Sequence, residues 1–391
     1  MEYIYGENTT SFPNVAADPM TGELTSLLDI NPSQLEIIRN ERPATPPPPS
    51  SLTDHMLTIP WSSSAGWGQP KIVPYGPLAL EPSVTVLHYA QTLFEGMKAY
   101  RDTNGKVTLF RPDMNMKRMN TSAARIALPT FDGEALLELI KALVRLDRHW
   151  IPQLPGYIGT QCALGVGPPN EALLFVICSP VGPYYATGFK PVSLYGTVEY
   201  VRAYPGGTGG YKLGANYAPG VVPQRAAAKH GYAQNLWLHG PEHHLTEVGT
   251  MNLFVVFRKG DGTLELATAP LDGMILPGVT RDSVISLAKD HASRRQVLDG
   301  LPEKFELVER PITMKEVQAA AENGSLVEMF GTGTAAIICP VNKIGYLGKD
   351  IIIPTGDGSA GLGPVSRVML EQISGRQFGT IPSDWSVVVA E

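Results

Sequence analysis

The sequence predicts a chain of two domains and of mixed class, α+β / α/β. At 391 residues it is longer than one hydrophobic core usually serves. Strand-like apolar runs and amphipathic helical patterns occur in both halves. Between them the Gly/Pro-punctuated stretch Gly182-Pro-Tyr184-Tyr-Ala-Thr-Gly188 reads as an interdomain loop. The expected division is a flexible Pro-rich N-terminal tail over residues 1–52, a small α+β domain over 53–181, a loop over 182–191, and a larger C-terminal domain over 192–391.

In the tail, a short helical pattern runs from about Ser33 to Arg39. Pro43-Ala-Thr-Pro-Pro-Pro-Pro49 then stops any helix and favours extended polyproline II. In the small domain, Val107-Thr-Leu-Phe110 has strand character, and Arg111-Pro turns into the amphipathic stretch Asp113 to Arg125. Asp132 can accept from the first N–H groups of a helix whose apolar stripe is Leu136, Leu139, Ile140, Leu143 and Val144. Ala172-Leu-Leu-Phe-Val-Ile-Cys178 shows no alternation and reads as a buried strand. In the larger domain, Leu253–Phe257, the turn Lys259-Gly-Asp-Gly262 and Leu264–Thr268 form a hairpin. Gly278-Val-Thr280 opens a helix running through Ser293. Thr313 and Glu316 make a capping box for another that ends near Gly324.

Composition removes several classes of function. The net charge of −6 and the lack of a basic block argue against nucleic acid or an anionic membrane surface as partner. No run of 18 apolar residues occurs. The start, Met1-Glu-Tyr-Ile-Tyr-Gly-Glu, has neither the basic and apolar regions of a secretory signal nor the Arg-rich character of a mitochondrial transit peptide, so the expected location is cytoplasmic. Three cysteines, Cys162, Cys178 and Cys339, show no paired spacing, as in a reducing compartment, and Cys178 is expected in the core. His239, Glu242, His243, His244 and Glu247 form a cluster, but no zinc-type spacing occurs and Gly240-Pro241 breaks any helix there. The expectation is a solvated loop and no metal.

Chemistry centres on Tyr204-Pro-Gly-Gly-Thr-Gly-Gly-Tyr-Lys212-Leu-Gly-Ala-Asn-Tyr217, one lysine with five glycines near it. Each glycine costs backbone entropy on folding, so something is expected to approach this backbone closely. A phosphate loop requires Gly-Lys-Ser/Thr, whereas Lys212 follows Tyr211 and precedes Leu213. A lysine that joins a flat carbonyl cofactor, pyridoxal phosphate above all, is the other functional reading. On this stretch alone, a surface loop with an incidental lysine is the simpler one.

Downstream blocks change that balance: Glu247-Val-Gly-Thr250-Met-Asn252, Leu276-Pro-Gly278-Val279-Thr280-Arg281 and Gly331-Thr-Gly-Thr334-Ala335-Ala336. Their order and spacing resemble the class IV pyridoxal-phosphate aminotransferases. Leu93-Phe-Glu-Gly-Met-Lys-Ala-Tyr100 and Leu109-Phe-Arg111-Pro narrow the resemblance to the eukaryotic branched-chain amino-acid aminotransferases, from about Thr53 to the C-terminus. The resemblance implies that fold, pyridoxal 5'-phosphate as cofactor and Lys212 as its covalent anchor and proton carrier. It further implies Glu247 on the pyridine nitrogen, Tyr217 on the ring oxygen, and Arg111, Val279, Thr280 and Thr334 on the phosphate. For substrate it implies Thr250 and Ala335 at the α-carboxylate with Tyr89, and Phe94 and Tyr184 in the side pocket. The implied reaction is two-stage transamination of leucine, isoleucine and valine with 2-oxoglutarate by a homodimer, with Tyr89 reaching the partner's site.

The chain departs from the family pattern in three places. Where some members have Cys-x-x-Cys it has Ala336-Ile-Ile-Cys339. Pro48 and Pro49 stand where relatives bring an aromatic residue to the pocket. His149-Trp-Ile-Pro-Gln-Leu-Pro-Gly156 leads directly to Tyr157, without the Tyr-x-Arg strand that lines the family's substrate site. A transaminase respecialised for another hydrophobic or aromatic amino acid, and a catalytically silent pyridoxal-phosphate-binding homologue, are therefore carried as alternatives.

Overall fold

The computed structural model describes residues 29–39, 52–149, 155–159, 168–179, 190–358 and 360–390. The polyproline stretch, Cys162, Tyr184 and most of the expected interdomain loop lie outside these. So does most of the stretch from Trp150 to Gly167; Pro155–Gly159 alone is described there, as a strand.

Around the first core, strands pair in the order Glu36–Ile37, Lys71–Pro74, His55–Ser62, Glu171–Ile177, Pro155–Gly159, Thr92–Phe94. A second, three-stranded sheet joins Ala99–Arg101 and Val107–Phe110 to Ser386–Ala390 from the C-terminus. The short helix α1 (Thr85–Tyr89) precedes the Thr92–Phe94 strand. Helices α2 (Pro112–Arg125) and α3 (Gly133–Leu146) pack on each other and fill this core. Asp132 caps α3 by accepting from the N–H groups of Glu134 and Ala135, and all five expected stripe residues are buried.

Three expectations need correction here. Residues 32–37 form a single 3-10 turn and a two-residue strand rather than a helix, because Glu36 and Ile37 pair with Lys71 and Ile72 of a neighbouring strand. The same segment is anchored, with Ile30 5% exposed in the core and Asp29 accepting from the Asp132 N–H, so it is not wholly a tail. Glu171–Ile177 is apolar on both sides, yet only Ala172, Leu174 and Val176 are fully buried; its other face is half covered, so burial alternates although sequence does not.

In the larger domain nine strands form one sheet whose path closes on itself. The order His244–Val248, Gln234–His239, Val192–Thr197, Ile337–Tyr346, Leu326–Gly333, Met251–Arg258 returns to His244–Val248 through Glu247↔Asn252. Leu264–Thr268 and Phe305–Glu309 extend it beyond Met251–Arg258, and the expected hairpin is present with Phe254 opposite Thr268. Met251–Arg258 is buried on both faces: Leu253, Val255 and Phe257 enter one core, and Phe254 and Val256 the other. A strand covered on both sides reads as a continuous apolar run for that reason. Helix α4 (Val221–Lys229) follows the lysine loop, and α5 (Val279–Ala292) packs on the Phe254 face. Helix α6 (Met314–Asn323) buries Met314 and Val317 against the other core, and α7 (Pro364–Gln377) packs beside α5. Thr313 caps α6 as expected, but only half of the box forms: the Glu316 carboxylate turns to Arg310, a charged partner, instead of the Thr313 N–H.

The histidine cluster is not a solvated loop either. His239 and His244 face each other across paired strands, and the His243 ring meets the Tyr346 hydroxyl.

Candidate active site

Lys212 lies against α2 and the Thr92–Phe94 strand. Its N–H donates to Ser122 Oγ on α2 at 3.0 Å, its carbonyl accepts from the Phe94 N–H at 3.1 Å, and Leu213 bridges to Leu93. Two of the five glycines meet a close approach, as the sequence suggests. A Cβ on Gly209 would stand 2.4 Å from the Met274 carbonyl oxygen, and one on Gly214 2.5 Å from Thr92 Cγ2. At these two positions what approaches is the protein itself.

The lysine amine sits 4.5 Å from the centre of the Phe94 ring and donates to the Tyr217 hydroxyl at 3.2 Å. Burial, then the Arg118 guanidinium, lowers its pKa from 10.5 to about 8. Burial raises the Tyr217 hydroxyl to about 12, so it stays protonated at neutral pH. Phe94 and Tyr217 meet edge to face at 4.8 Å. Beneath them runs an ion pair that sequence reasoning missed. Arg118, on α2, holds the fully buried Glu95 through Nε at 2.6 Å and a second nitrogen at 2.7 Å, and also donates to the Pro277 carbonyl. The signal was available in the amphipathic pattern of α2, which places an arginine on the buried face.

Glu247 is buried and ion-paired with Arg202 at 2.9 Å, and accepts from the Leu276 N–H at 2.7 Å and Asn252 Nδ2 at 3.4 Å. Burial pushes its carboxyl above the ordinary carboxylate range, while Arg202 and the Leu276 N–H act against that. Glu247, Tyr217, Arg202 and Thr250 line a cavity of about 420 Å³. Thr332, directly across from Asn252, shares its face of the sheet, and its buried hydroxyl lacks a partner among the described residues.

Helix α5 starts uncapped: its N-cap Gly278 offers no side-chain bond to the first N–H groups, those of Val279 and Thr280, an arrangement suited to an anion. Arg111, held at φ 49° as the N-cap of α2, reaches α5 by donating to Ser283 Oγ at 2.9 Å and pairing with Asp282 at 2.6 Å. Its guanidinium also lies 4.5 Å from the Trp385 ring centre. Thr334, Ala335 and Ala336 form the hairpin turn after Leu326–Gly333, and the Ala335 carbonyl accepts from Lys98 Nζ at 2.8 Å. Thr250 is exposed in the Gly249-Thr250 turn. Tyr89, 41% exposed, packs against His88 at the end of α1 and is not brought to Lys212 within the chain. Lys212, Phe94 and Tyr217 therefore meet, Glu247 and Thr250 share the cavity with Tyr217, and Arg111 reaches Asp282 and Ser283 of the helix that Val279 and Thr280 open. Tyr184 lies outside the described residues. Among those residues there is no group of three or more side chains suited to a metal.

These donors fit pyridoxal phosphate: a buried amine of lowered pKa, a hydroxyl held protonated, a buried basic carboxylate, an uncapped helix start with an arginine, and an unpartnered hydroxyl at Thr332. Comparison with known proteins agrees with the geometry. Residues 92–344 match the family model described as "Amino-transferase class IV". The chain is 51% identical over 378 residues to the mitochondrial branched-chain-amino-acid aminotransferase of Saccharomyces cerevisiae, covering 93% of this chain and 94% of that one. With the cytosolic form of the same organism the identity is 50%, covering 94% and 99%. Among solved structures, the Escherichia coli branched-chain amino acid aminotransferase superposes with a TM-score of 0.67 at 23% identity, over 86% of this chain and 99% of that one, a likeness of fold.

Proposed function

Because the chain belongs to the class IV amino-transferase family, we propose that it transfers the amino group of leucine, isoleucine and valine to 2-oxoglutarate, in two half-reactions on one site. The observation that carries this reading is the Lys212 amine, buried with a pKa of about 8 and its nearest hydroxyl kept protonated. Identities near 50% over nearly the whole chain to two branched-chain aminotransferases favour these substrates over a respecialised or silent homologue.

Bound pyridoxal phosphate supplies the electron sink that makes the substrate's Cα–H acidic. Lys212 would anchor it and, once displaced by the substrate's amino group, its freed amine would take the Cα proton and return it, a task suited to a base whose pKa lies near the working pH. Tyr217 would donate toward the ring oxygen, and the Glu247 carboxylate, fixed by Arg202 and the Leu276 N–H, would keep a proton on the ring nitrogen. The N–H groups of Val279 and Thr280 would hold the phosphate together with Arg111 and Thr334. Thr250 and Ala335 offer exposed backbone in two hairpin turns to the α-carboxylate. Phe94 supplies one apolar wall.

The same reading keeps 53–181 and 192–391 as the two domains, with Ser386–Ala390 returning to the first. It also makes the protein a homodimer in which Tyr89 serves the partner's site. Exposed apolar side chains at Tyr200, Val201 and Val221 line the cavity, and Leu87 on α1 is 60% exposed, apolar surface that a second copy would cover. Light scattering at twice the 42.2 kDa chain mass is expected, and a monomer active at all concentrations would remove Tyr89 from the scheme.

The deciding experiment follows the cofactor's visible absorbance during single turnovers with leucine, isoleucine, valine and a wider amino-acid panel. Leucine should bleach the long-wavelength band, and Lys212→Ala should lack both that band and turnover. A band that only an aromatic amino acid moves would show a respecialised enzyme; one that nothing moves would show a silent binder.

A further inference from the structure

A helix of a globular protein normally buries one apolar stripe. Helix α2 buries two stripes at the same spacing. Met116, Met119 and Ala123 enter the first core, and beside them Asn115, Arg118 and Ser122 are also buried. Residues three, four and seven apart share a helix face, so these three polar side chains form one row. Burying polar groups is unfavourable unless each is bonded, and here each is.

What they bond is the surroundings of Lys212. Ser122 Oγ accepts from the Lys212 N–H at 3.0 Å, while the Phe94 N–H holds the Lys212 carbonyl. Asn115 donates to the Glu95 carboxylate at 2.7 Å and to the Gly96 carbonyl at 3.1 Å, fixing the residues that follow Phe94. Arg118, between them in the row, reaches in two directions. Its Nε and one terminal nitrogen grip the two oxygens of Glu95, and the other terminal nitrogen donates to the Pro277 carbonyl at 3.1 Å. Pro277 has no N–H, so this carbonyl is its one backbone polar group, and it stands immediately ahead of Gly278 and the uncapped start of α5. The residue before it is pinned as well: the Leu276 N–H donates to Glu247, and the Leu276 carbonyl accepts from Asn252 at 2.8 Å. With Arg111 at the N-cap of α2 bonded to Ser283 and Asp282, one helix holds Lys212, the residues beside Phe94 and two points at the beginning of α5. Neutralising Glu95 needs only a cation. Holding Pro277 at the same time needs donors fixed in a planar fork, which a guanidinium has and an ammonium lacks.

We propose that Arg118 is a positioning residue: it sets the distance between the Lys212 amine and the first N–H groups of α5, so that an aldehyde bearing a phosphate is held at both ends. This rests on the transaminase reading above.

The test measures, by absorbance, the binding of pyridoxal 5'-phosphate and of pyridoxal to cofactor-free protein. One variant is Arg118→Lys, which keeps a cation beside Glu95 but loses the fork. The other, Glu95→Gln with Arg118→Met, removes both buried charges so that neither is stranded. In each, the preference for pyridoxal phosphate over pyridoxal should fall at least about tenfold, the size of a lost charge-assisted hydrogen bond, while pyridoxal alone binds within about twofold of wild type. A preference kept within about twofold, or an equal loss of both aldehydes through misfolding or otherwise, would mean that Arg118 only neutralises Glu95, and the proposal would fail. A wild type that binds pyridoxal phosphate no better than pyridoxal would defeat the transaminase reading instead. Hydrogen exchange at residues 276–280 of cofactor-free Arg118→Lys would then decide the role of Arg118 by itself: faster than in wild type if Arg118 sets this loop, unchanged if it does not.

Discussion

The two walls of the cleft are built on opposite principles. On the cofactor side, charges are buried and answered: Glu247 by Arg202 and the Leu276 N–H, and Glu95 by Arg118 and Asn115. On the side proposed to meet substrate, Thr250 and Ala335 stand exposed in hairpin turns, Tyr89 is 41% exposed, and Lys98 rests on a neutral carbonyl. A wall that must hold one cofactor throughout can be rigid and fully paired. A wall that must accept an apolar side chain and then a charged one cannot commit its charge in advance.

The most severe way to test this contrast is Glu247→Gln. The amide keeps the shape and an acceptor for the Leu276 N–H but leaves the Arg202 guanidinium buried without its counter-charge. Breaking a buried pair from one side typically costs about 3–5 kcal/mol, so the variant should unfold at clearly lower denaturant and turn over leucine at least about a hundredfold more slowly. Lys98→Met, on the other wall, should move global stability by less than about 1 kcal/mol. Equal destabilisation by the two substitutions would erase the distinction between the walls.

The contrast also explains what could be read from sequence. Lys212 stood out by the glycines around it, whereas Tyr217, Glu247 and the α5 start were assigned only through the resemblance of their blocks to a known family. Element types followed from local signals too: Asp132, Thr313 and the 259–262 turn each act through neighbours a few residues away. What escaped was long-range. Glu95 and Arg118 are 23 residues apart, and Arg202 and Glu247 45 apart, so neither pairing could be read from its local stretch. The glycines around Lys212 were legible as a close approach, but sequence alone did not tell that the approaching partner is Met274 and Thr92 of the same chain. The N-terminal stretch failed for the same reason, because pairing with Lys71 and Ile72 overrode a weak helical pattern.

A gentler test sharpens the comparison at the one residue both walls touch. In cofactor-free protein the Lys212 amine, with a pKa of about 8 against the ordinary 10.5, should react with a small acylating reagent along a titration centred near pH 8, its labelling falling about tenfold for each pH unit below that. The sign for stability follows from the same depression. Below pH 8 the amine is protonated in both folded and unfolded chains, and the cost of burying the charge is fully present. Between about pH 8 and 10.5 the folded chain alone has shed the proton, so the cost fades as pH rises. Unfolding free energy of the cofactor-free wild type, measured relative to Lys212→Met, should therefore climb through that window. Burial is the first cause of the depression and Arg118 the second, so the effect belongs to the paired, closed wall. A labelling midpoint near 10.5 with a flat stability difference would mean that water reaches the amine as freely as it reaches Ala335, and that the two walls are alike where the proton is carried.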